Sequence, residues 1–160
     1  MKILVDGDSC PVLDIITNFA RDNALSLLVF FDINHDSDLD YGTSVLIDLE
    51  NQNINQEILS RTEPEDLIIT QDFGLASQVL EKGANAVNQQ GLIYTANNIK
   101  KLLKQRKARV REKRAKSGSV KPLTRQRKQE RTWQDDVKFH QSLEKVYEEN
   151  LSTKPQGGNN

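Results

Sequence analysis

The chain lacks the features that mark secreted and membrane proteins. Only one of its 160 residues is a cysteine, Cys10, so no internal disulfide can form, which fits a reducing compartment. No stretch approaches the ~20 consecutive apolar residues that a membrane-spanning helix needs. The apolar residues 3–5 are followed at once by Asp6, which is not the pattern of a signal peptide. We therefore expect one cytoplasmic domain with its own core and no membrane partner.

Histidine is also scarce, and neither histidine has a partner at metal-ligand spacing. His35 and His140 are therefore interpreted as solvated side chains. Cys10 precedes Pro11 at an expected helix start, a position that can lower the pKa of a thiol. No histidine-centred triad is visible around it, so a small buried side chain is the expected role of Cys10.

Charge is abundant but unevenly distributed. Residues 1–99 contain 4 Lys and Arg against 16 Asp and Glu, whereas residues 100–131 contain 15 basic residues against 2 acidic ones. Residues 132–160 contain 3 basic and 5 acidic residues, so the total charge of −1 conceals an acidic block and a basic block. A basic block binds its own partners whatever the total charge of the chain.

Apolar runs and helically spaced apolar residues alternate along the acidic part. This predicts the order β-α-β-β-α-β-α-β-α and an α/β fold with a mainly parallel sheet covered by helices on both faces. We expect a domain over residues 1–103, a basic helix-permissive arm over 104–131, a final helix over 132–150 and a disordered tail over 151–160. Strands are expected at 3–5, 25–31, 45–47, 66–70 and 84–87.

Acidic side chains follow two of these strands. Asp6 and Asp8 leave the first strand, and Asp72 follows the fourth. Ligands of open α/β sheets bind at the carboxyl ends of the strands, so these carboxylates are expected to converge there. Mg²⁺ or Mn²⁺ prefers such oxygen ligands and could activate water for attack on a phosphodiester. The alternative is that Asp72 and Asp8 cap helices, and that Asp66 is an ordinary turn residue.

The basic block predicts a helix with charge on nearly every face. Such a helix cannot pack on a core, so it stays solvated, contacts the phosphates of a nucleic acid, or docks against the acidic part of the chain. We favour nucleic acid, since only Glu112 interrupts the helix with a negative charge. The expected contact residues are Lys100, Lys101, Lys104, Arg106, Lys107, Arg109, Arg111, Lys113 and Arg114.

Three stretches together resemble the YaiI/YqxD family of uncharacterised bacterial proteins. Residues 5–11 (VDGDSCP) resemble its V-D-A-D-A-C-P opening, and residues 66–76 (DLIITQDFGLA) resemble its D-hydrophobic-T-x-D-x-x-L-A segment. Residues 82–99 match its K-G-A…G-x-x-Y-T-x-x-N-I segment. The resemblance covers residues 1–106. It implies a doubly wound fold similar to PIN and NYN nuclease domains, and it suggests metal-dependent cleavage of RNA.

The chain departs from the family pattern in two places. Counting back from Asp66 puts Gln52 and Asn55 where the family usually has acids, so Asn55 is expected as an outer metal ligand through its amide oxygen. The loss of two charges weakens metal affinity and allows an altered or inactive site. In addition, the run to Phe139 is extended by basic residues, and Asp135 lacks the arginine that usually follows it.

Three functions are consistent with these patterns. In the first, a metal-dependent ribonuclease or related phosphodiesterase uses Asp6, Asp8 and Asp72, with Thr70 hydrogen-bonding a ligand or water. In the second, a non-catalytic RNA- or ribosome-associated protein uses only the basic arm. In the third, a haloacid-dehalogenase-like phosphatase uses Asp6 as nucleophile and Asp8 as acid, although the later paired acids of that group are not visible.

Overall fold

The computed structural model describes residues 1–8, 10–35, 38–116 and 130–154. Within this part of the chain, strands and helices follow the predicted order and end with the expected final helix. Their bounds are β1 (Lys2–Asp6), α1 (Leu13–Asp22), β2 (Ser26–Asp32), β3 (Thr43–Ile47), α2 (Ile54–Arg61), β4 (Leu67–Ile69), α3 (Phe73–Glu81), β5 (Asn85–Val87), α4 (Ala96–Ala115) and α5 (Trp133–Thr153).

The strands form one parallel sheet in the order β3-β2-β1-β4-β5. β1 lies at the centre, where Leu4 is in register with Leu28 of β2 on one side and Ile68 of β4 on the other. Chain order therefore reverses at β1, because the sheet grows first through β2 and β3 and then, on the opposite side, through β4 and β5. In open α/β sheets such a reversal opens a crevice between the two strands where it occurs, here β1 and β4.

Alternation along each strand divides the core between the two faces of the sheet. Ile3 and Val5 of β1 pack in the cluster that contains the apolar residues of α1 and α5, while Leu4 packs in the cluster of α2, α3 and α4. Side chains alternate across a strand, so a sheet that is covered on both faces needs a continuous apolar run. The predicted α/β class with a parallel sheet and a helical C-terminal extension is confirmed.

Some bounds differ from the prediction. β4 is three residues long, although the carbonyl of Asp66 and the N–H of Thr70 still bond the backbone of β5. The side chains of both residues also act as acceptors, Asp66 for the backbone N–H of Lys2 and Thr70 for that of Asp72. α5 continues to Thr153. The rest of the expected tail, residues 155–160, and residues 117–129 of the expected arm lie outside the described residues.

No helix in the described ranges is long and apolar enough to cross a membrane.

Candidate active site at the carboxyl ends of β1 and β4

A cleft of about 380 Å³ opens where β1 and β4 end side by side. The structure brings the five side chains selected from the sequence to this cleft. They are Asp6, Asp8, Asn55, Thr70 and Asp72. Asp6 and Asp8 reach it from the end of β1, Thr70 and Asp72 from the end of β4, and Asn55 from the first turn of α2.

Asp6 is a partly buried carboxyl group of the cleft. Burial raises the pKa of Asp6 above its ordinary value, the backbone N–H of Asp8 opposes the rise, and the charge of Asp8 adds to it. That N–H donates to Oδ1 of Asp6 at 3.2 Å. Oδ2 of Asp6 accepts no hydrogen bond from any residue that the structure describes. A partly buried carboxylate held beside another carboxylate favours a bound cation, since a cation relieves both desolvation and repulsion.

Asp8 is held by the last residue of β2 and by the loop that follows it. Its Oδ2 accepts the backbone N–H of Asp32 at 2.8 Å, and its Oδ1 lies 3.0 Å from Nδ1 of His35. The imidazole stacks on Phe31 with ring centroids 4.7 Å apart and an interplanar angle of 14°. Asp8 therefore anchors this loop with both carboxylate oxygens. His35 is exposed, as expected, but it also pairs with Asp8, a partner 27 positions away that local spacing cannot reveal.

Asp72 both caps a helix and lines the cleft. Its Oδ1 accepts the backbone N–H of Leu75 at 2.9 Å at the start of α3, as the capping alternative predicts. The backbone N–H of Asp72 donates to Oγ1 of Thr70 at 3.0 Å, so Thr70 orients this turn. The Oδ2 atom of Asp72 accepts no hydrogen bond within the described ranges and is open to a ligand.

Tyr94 hydrogen-bonds the backbone of the cleft residue Thr70. Its hydroxyl donates to the carbonyl of Thr70 at 3.3 Å, and its ring meets Phe73 edge to face. Burial raises the pKa of Tyr94 to about 12, the side chain of Asn88 opposes the rise and the charge of Asp72 adds to it. The phenol therefore stays protonated and can donate throughout the neutral range.

The two amides at positions where the resembled pattern has acids are separated by the fold. Asn55 lines the cleft, whereas Oε1 of Gln52 accepts the backbone N–H of Asp48 at 3.1 Å in the loop before α2. Asn53 caps that helix through the N–H of Gln56. Of these two amides, therefore, only that of Asn55 can contribute an oxygen to a ligand in the cleft.

The oxygen atoms that line the cleft fit a hard divalent cation, provided that the substrate supplies some of its ligands. No group of three or more His, Cys, Asp or Glu side chains in the described part of the chain is arranged so that it could hold a metal ion. With Asp8 committed to Asp32 and His35, two carboxylates remain, those of Asp6 and Asp72. Mg²⁺ is often bound by one or two carboxylates and completed by water and substrate phosphate oxygens, so this set is compatible with Mg²⁺.

A family comparison matches most of the chain. The model described as "Uncharacterized BCR, YaiI/YqxD family" covers residues 4–149. The chain belongs to the YaiI/YqxD family. A UPF0178 protein of Clostridium kluyveri is 34% identical over 143 residues, which are 89% of this chain and 90% of that protein. A UPF0178 protein of Lachnoclostridium phytofermentans is 32% identical over 91% of this chain and 96% of its own length. No solved structure gives a significant match.

In this member of the YaiI/YqxD family, two glutamines also line the cleft, and an arginine holds the backbone of one of them. Nε2 of Gln71 donates to Oε1 of Gln89 at 2.6 Å, and both glutamines line the cleft. Nη1 of Arg131 donates to the carbonyl of Gln89 at 2.6 Å. Our sequence interpretation missed all three. Gln71 sits between two selected residues and could have been found, but Arg131 lies 42 positions from Gln89 and carried no local signal.

The basic helix begins beside the cleft and extends away from the core. Ile99 is buried, but every residue from Lys104 to Lys116 is exposed. Phe73, which directly follows the cleft residue Asp72, lines a groove together with Arg106 and Arg109 of α4. Lys104, Arg106 and Arg109 form no ion pair with any other described residue. This YaiI/YqxD member thus combines an acidic cleft with the adjacent basic helix α4, whose 20 residues span about 30 Å.

Proposed function

We propose that this protein is a divalent-metal-dependent phosphodiesterase that cleaves RNA, with catalysis in the cleft and strand binding on α4. The observation that carries the proposal is the convergence of Asp6 and Asp72, each with one carboxylate oxygen unused among the described residues, next to a helix with nine basic residues. An acidic cleft repels a phosphodiester by itself. A cation between the carboxylates and the basic helix beside them would overcome that repulsion.

The residues have separate roles in this proposal. Asp6 and Asp72 would hold Mg²⁺ or Mn²⁺, with the amide oxygen of Asn55 as an outer ligand. Such a cation polarises a phosphodiester and lowers the pKa of bound water. Asp8 positions the loop of His35, and Thr70 fixes the turn that aims Asp72. The lysines and arginines of α4 contact backbone phosphates without reading sequence, and Gln71 and Gln89 offer amide groups at the rim.

The test compares Asp6→Asn with a matched control, Asp48→Asn. Asp48 follows β3 at the same edge of the sheet, but it hydrogen-bonds its own loop and does not line the cleft. With labelled RNA and Mn²⁺, wild type and Asp48→Asn should cleave, whereas Asp6→Asn should lose at least about 100-fold in rate, the scale of removing one electrostatic catalytic group. Calorimetric titration should show Mn²⁺ binding that is weakened in the same variant. Cleavage by Asp6→Asn at the wild-type rate would refute the proposal.

The stability of Asp6→Asn provides the folding control. The pKa of Asp6 is raised by burial, so the ionised carboxylate destabilises the folded state above the folded pKa. This penalty is present at neutral pH and fades as the pH falls through the folded pKa toward the ordinary value of 3.8. With EDTA present, Asp6→Asn should therefore have a higher Tm than wild type at pH 7, and the difference should vanish below about pH 4. A lower Tm at pH 7 would show that the substitution damages the fold.

The second candidate is a non-catalytic RNA-binding protein, favoured by the lack of a three-carboxylate metal group in the described residues. It predicts that wild type binds RNA without cleaving it. Replacing Lys104, Lys107 and Arg111 with glutamine should reduce the slope of log affinity against log salt by about 0.7 per phosphate contact removed from a single strand. Binding that survives this replacement unchanged would exclude a role for α4.

Hydrolysis of a simple phosphomonoester, lost in Asp6→Asn, would instead indicate the dehalogenase-like phosphatase.

A further inference from the structure

A groove separates the start of α3 from the outer half of α4. Its volume is about 350 Å³, within the range of sites that hold small organic molecules. Apolar and cationic side chains line it together, and no acid of the described chain does. The apolar ones are Phe73, Leu102 and Val110, and the cationic ones are Arg106, Arg109 and Lys113. Such a lining suits a ligand that carries both an apolar ring and negative charge.

The groove adjoins the cleft through Phe73. This residue directly follows Asp72, which lines the cleft, and consecutive Cα atoms are about 3.8 Å apart. The ring of Phe73 meets that of Tyr94 at a centroid distance of 6.1 Å and an interplanar angle of 73°. The hydroxyl of Tyr94 in turn donates to the carbonyl of the cleft residue Thr70. One bound strand can therefore occupy the cleft and the groove together.

Neither the apolar nor the cationic side of the groove is fully used by the fold. Val110 is 42% exposed on a helix half that is otherwise polar, and Phe73 is only partly buried. Arg109 and Lys113 are exposed and stand one turn apart on α4. Like charges at this spacing repel, so an anion bound between them stabilises the helix. An aromatic ring beside arginines is the usual arrangement of a site for single-stranded nucleic acid.

We propose that this groove binds the base of a nucleotide that neighbours the scissile phosphate of the RNA. The base would lie against Phe73 and Val110, and the adjoining phosphates would contact Arg109 and Lys113. This inference rests on the proposed function and narrows its substrate class to RNA that is unpaired beside the cleavage site. Only an unpaired base can enter the groove, because in a duplex the neighbouring base pairs cover both of its faces. Stacking on one aromatic side chain strengthens binding by about 5- to 150-fold and tolerates any base.

The contribution of the base is tested at Phe73. Metal-free protein in EDTA at low salt is titrated with a labelled single-stranded oligoadenylate, and binding is followed by anisotropy. Inorganic polyphosphate serves as a polyanion without bases. Phe73→Leu keeps an apolar side chain in place but removes the ring, so it should weaken oligoadenylate binding by about 5- to 150-fold and leave polyphosphate binding unchanged. Phe73→Tyr should retain most of the affinity.

The contribution of charge is tested with two matched double variants of α4. Arg109→Ala with Lys113→Ala removes two cations of the groove, whereas Lys107→Ala with Arg111→Ala removes two that do not line it. All four positions are exposed, so neither variant disturbs the core. Both lose long-range attraction, but only the first loses direct phosphate contacts. It should therefore weaken oligoadenylate binding at least about tenfold more than the second.

The outcomes separate this site from the proposed function. Equal oligoadenylate affinity in wild type and Phe73→Leu would overturn the base site, whatever the double variants show. Equal losses in the two double variants would also overturn the groove as the path of the strand. In either case, RNA cleavage by wild type that is lost in Asp6→Asn would leave the proposed function standing. Absence of any RNA binding by wild type would overturn both.

Discussion

Gly7 shows how tightly a single position at the end of β1 is constrained. A Cβ atom there would lie 2.4 Å from Cε1 of Phe31 and 2.5 Å from Cγ1 of Val29, far inside van der Waals contact. The constraint is close packing from β2 and not an unusual backbone. The side chains of Phe31 and Val29 therefore leave no room for a Cβ atom at position 7. The same ring supports His35, which holds Asp8.

Gly7→Ala should lower the free energy of unfolding by about 1–3 kcal/mol, the usual cost of overpacking a core. Phe31→Val creates space at the same point, so the double variant should be more stable than the sum of the two single effects predicts. Urea unfolding of the four proteins gives the coupling free energy directly. Additive effects would mean that Phe31 is not what excludes a side chain from position 7.

At the scale of an element, α4 has two halves with different roles. Thr95 and Asn98 form a capping box at its start, and Ile99 anchors the first turns in the core with 4% of its surface exposed. Beyond Leu103 the helix packs on no buried residue of the described chain, and Val110 is 42% exposed. Packing of an apolar face normally supplies most of the stability of a helix, so the second half depends on propagation from the first.

Ile99→Ala should therefore cost about 2–5 kcal/mol of unfolding free energy, whereas Val110→Ala should change it by less than about 0.5 kcal/mol. Hydrogen exchange should be fast for the amides of residues 106–115 in free protein and slower when RNA is bound. Comparable losses of stability in the two variants would show that the outer half of α4 is packed against something after all.

At the scale of the whole molecule, α5 closes one face of the sheet and connects distant parts of the chain. Oγ of Ser142 donates to the carbonyl of Gly91 at 2.6 Å, and Nδ2 of Asn150 donates to the carbonyl of Glu65 at 2.7 Å. Gly91 has a positive φ of 84°, and a Cβ there would lie 2.9 Å from the carbonyl oxygen of Lys138. The loop after β5 and α5 therefore pack backbone against backbone.

Because of this packing, α5 should unfold together with the sheet. Phe139→Ala should lower the free energy of unfolding by about 3–5 kcal/mol, a large part of the 5–15 kcal/mol typical of a domain. Gln141→Ala, at an exposed position of the same helix, serves as the control. Native-state hydrogen exchange should report the same loss of protection in β1 and in α5. A loss confined to α5 would make it a separately unfolding unit.

The sequence by itself determined the strands, the caps and the charge of the arm. A short continuous apolar run bounded by polar residues favours a strand buried on both faces. The caps at Asp72 and Thr95 join residues three apart, which local spacing reveals. The five side chains selected for the cleft all line it, because the carboxyl ends of parallel strands share one edge.

Only the tertiary structure decided which side chains meet across the sheet. Asp66, interpreted as a turn residue, is buried and pairs with Lys2 at 2.6 Å, while Asp8 pairs with His35, and Arg131 reaches Gln89. These partners are separated by 27 to 64 positions. The physical reason is that local patterns encode contacts within an element, whereas strand order and register, set by packing of the whole core, decide which distant residues become neighbours.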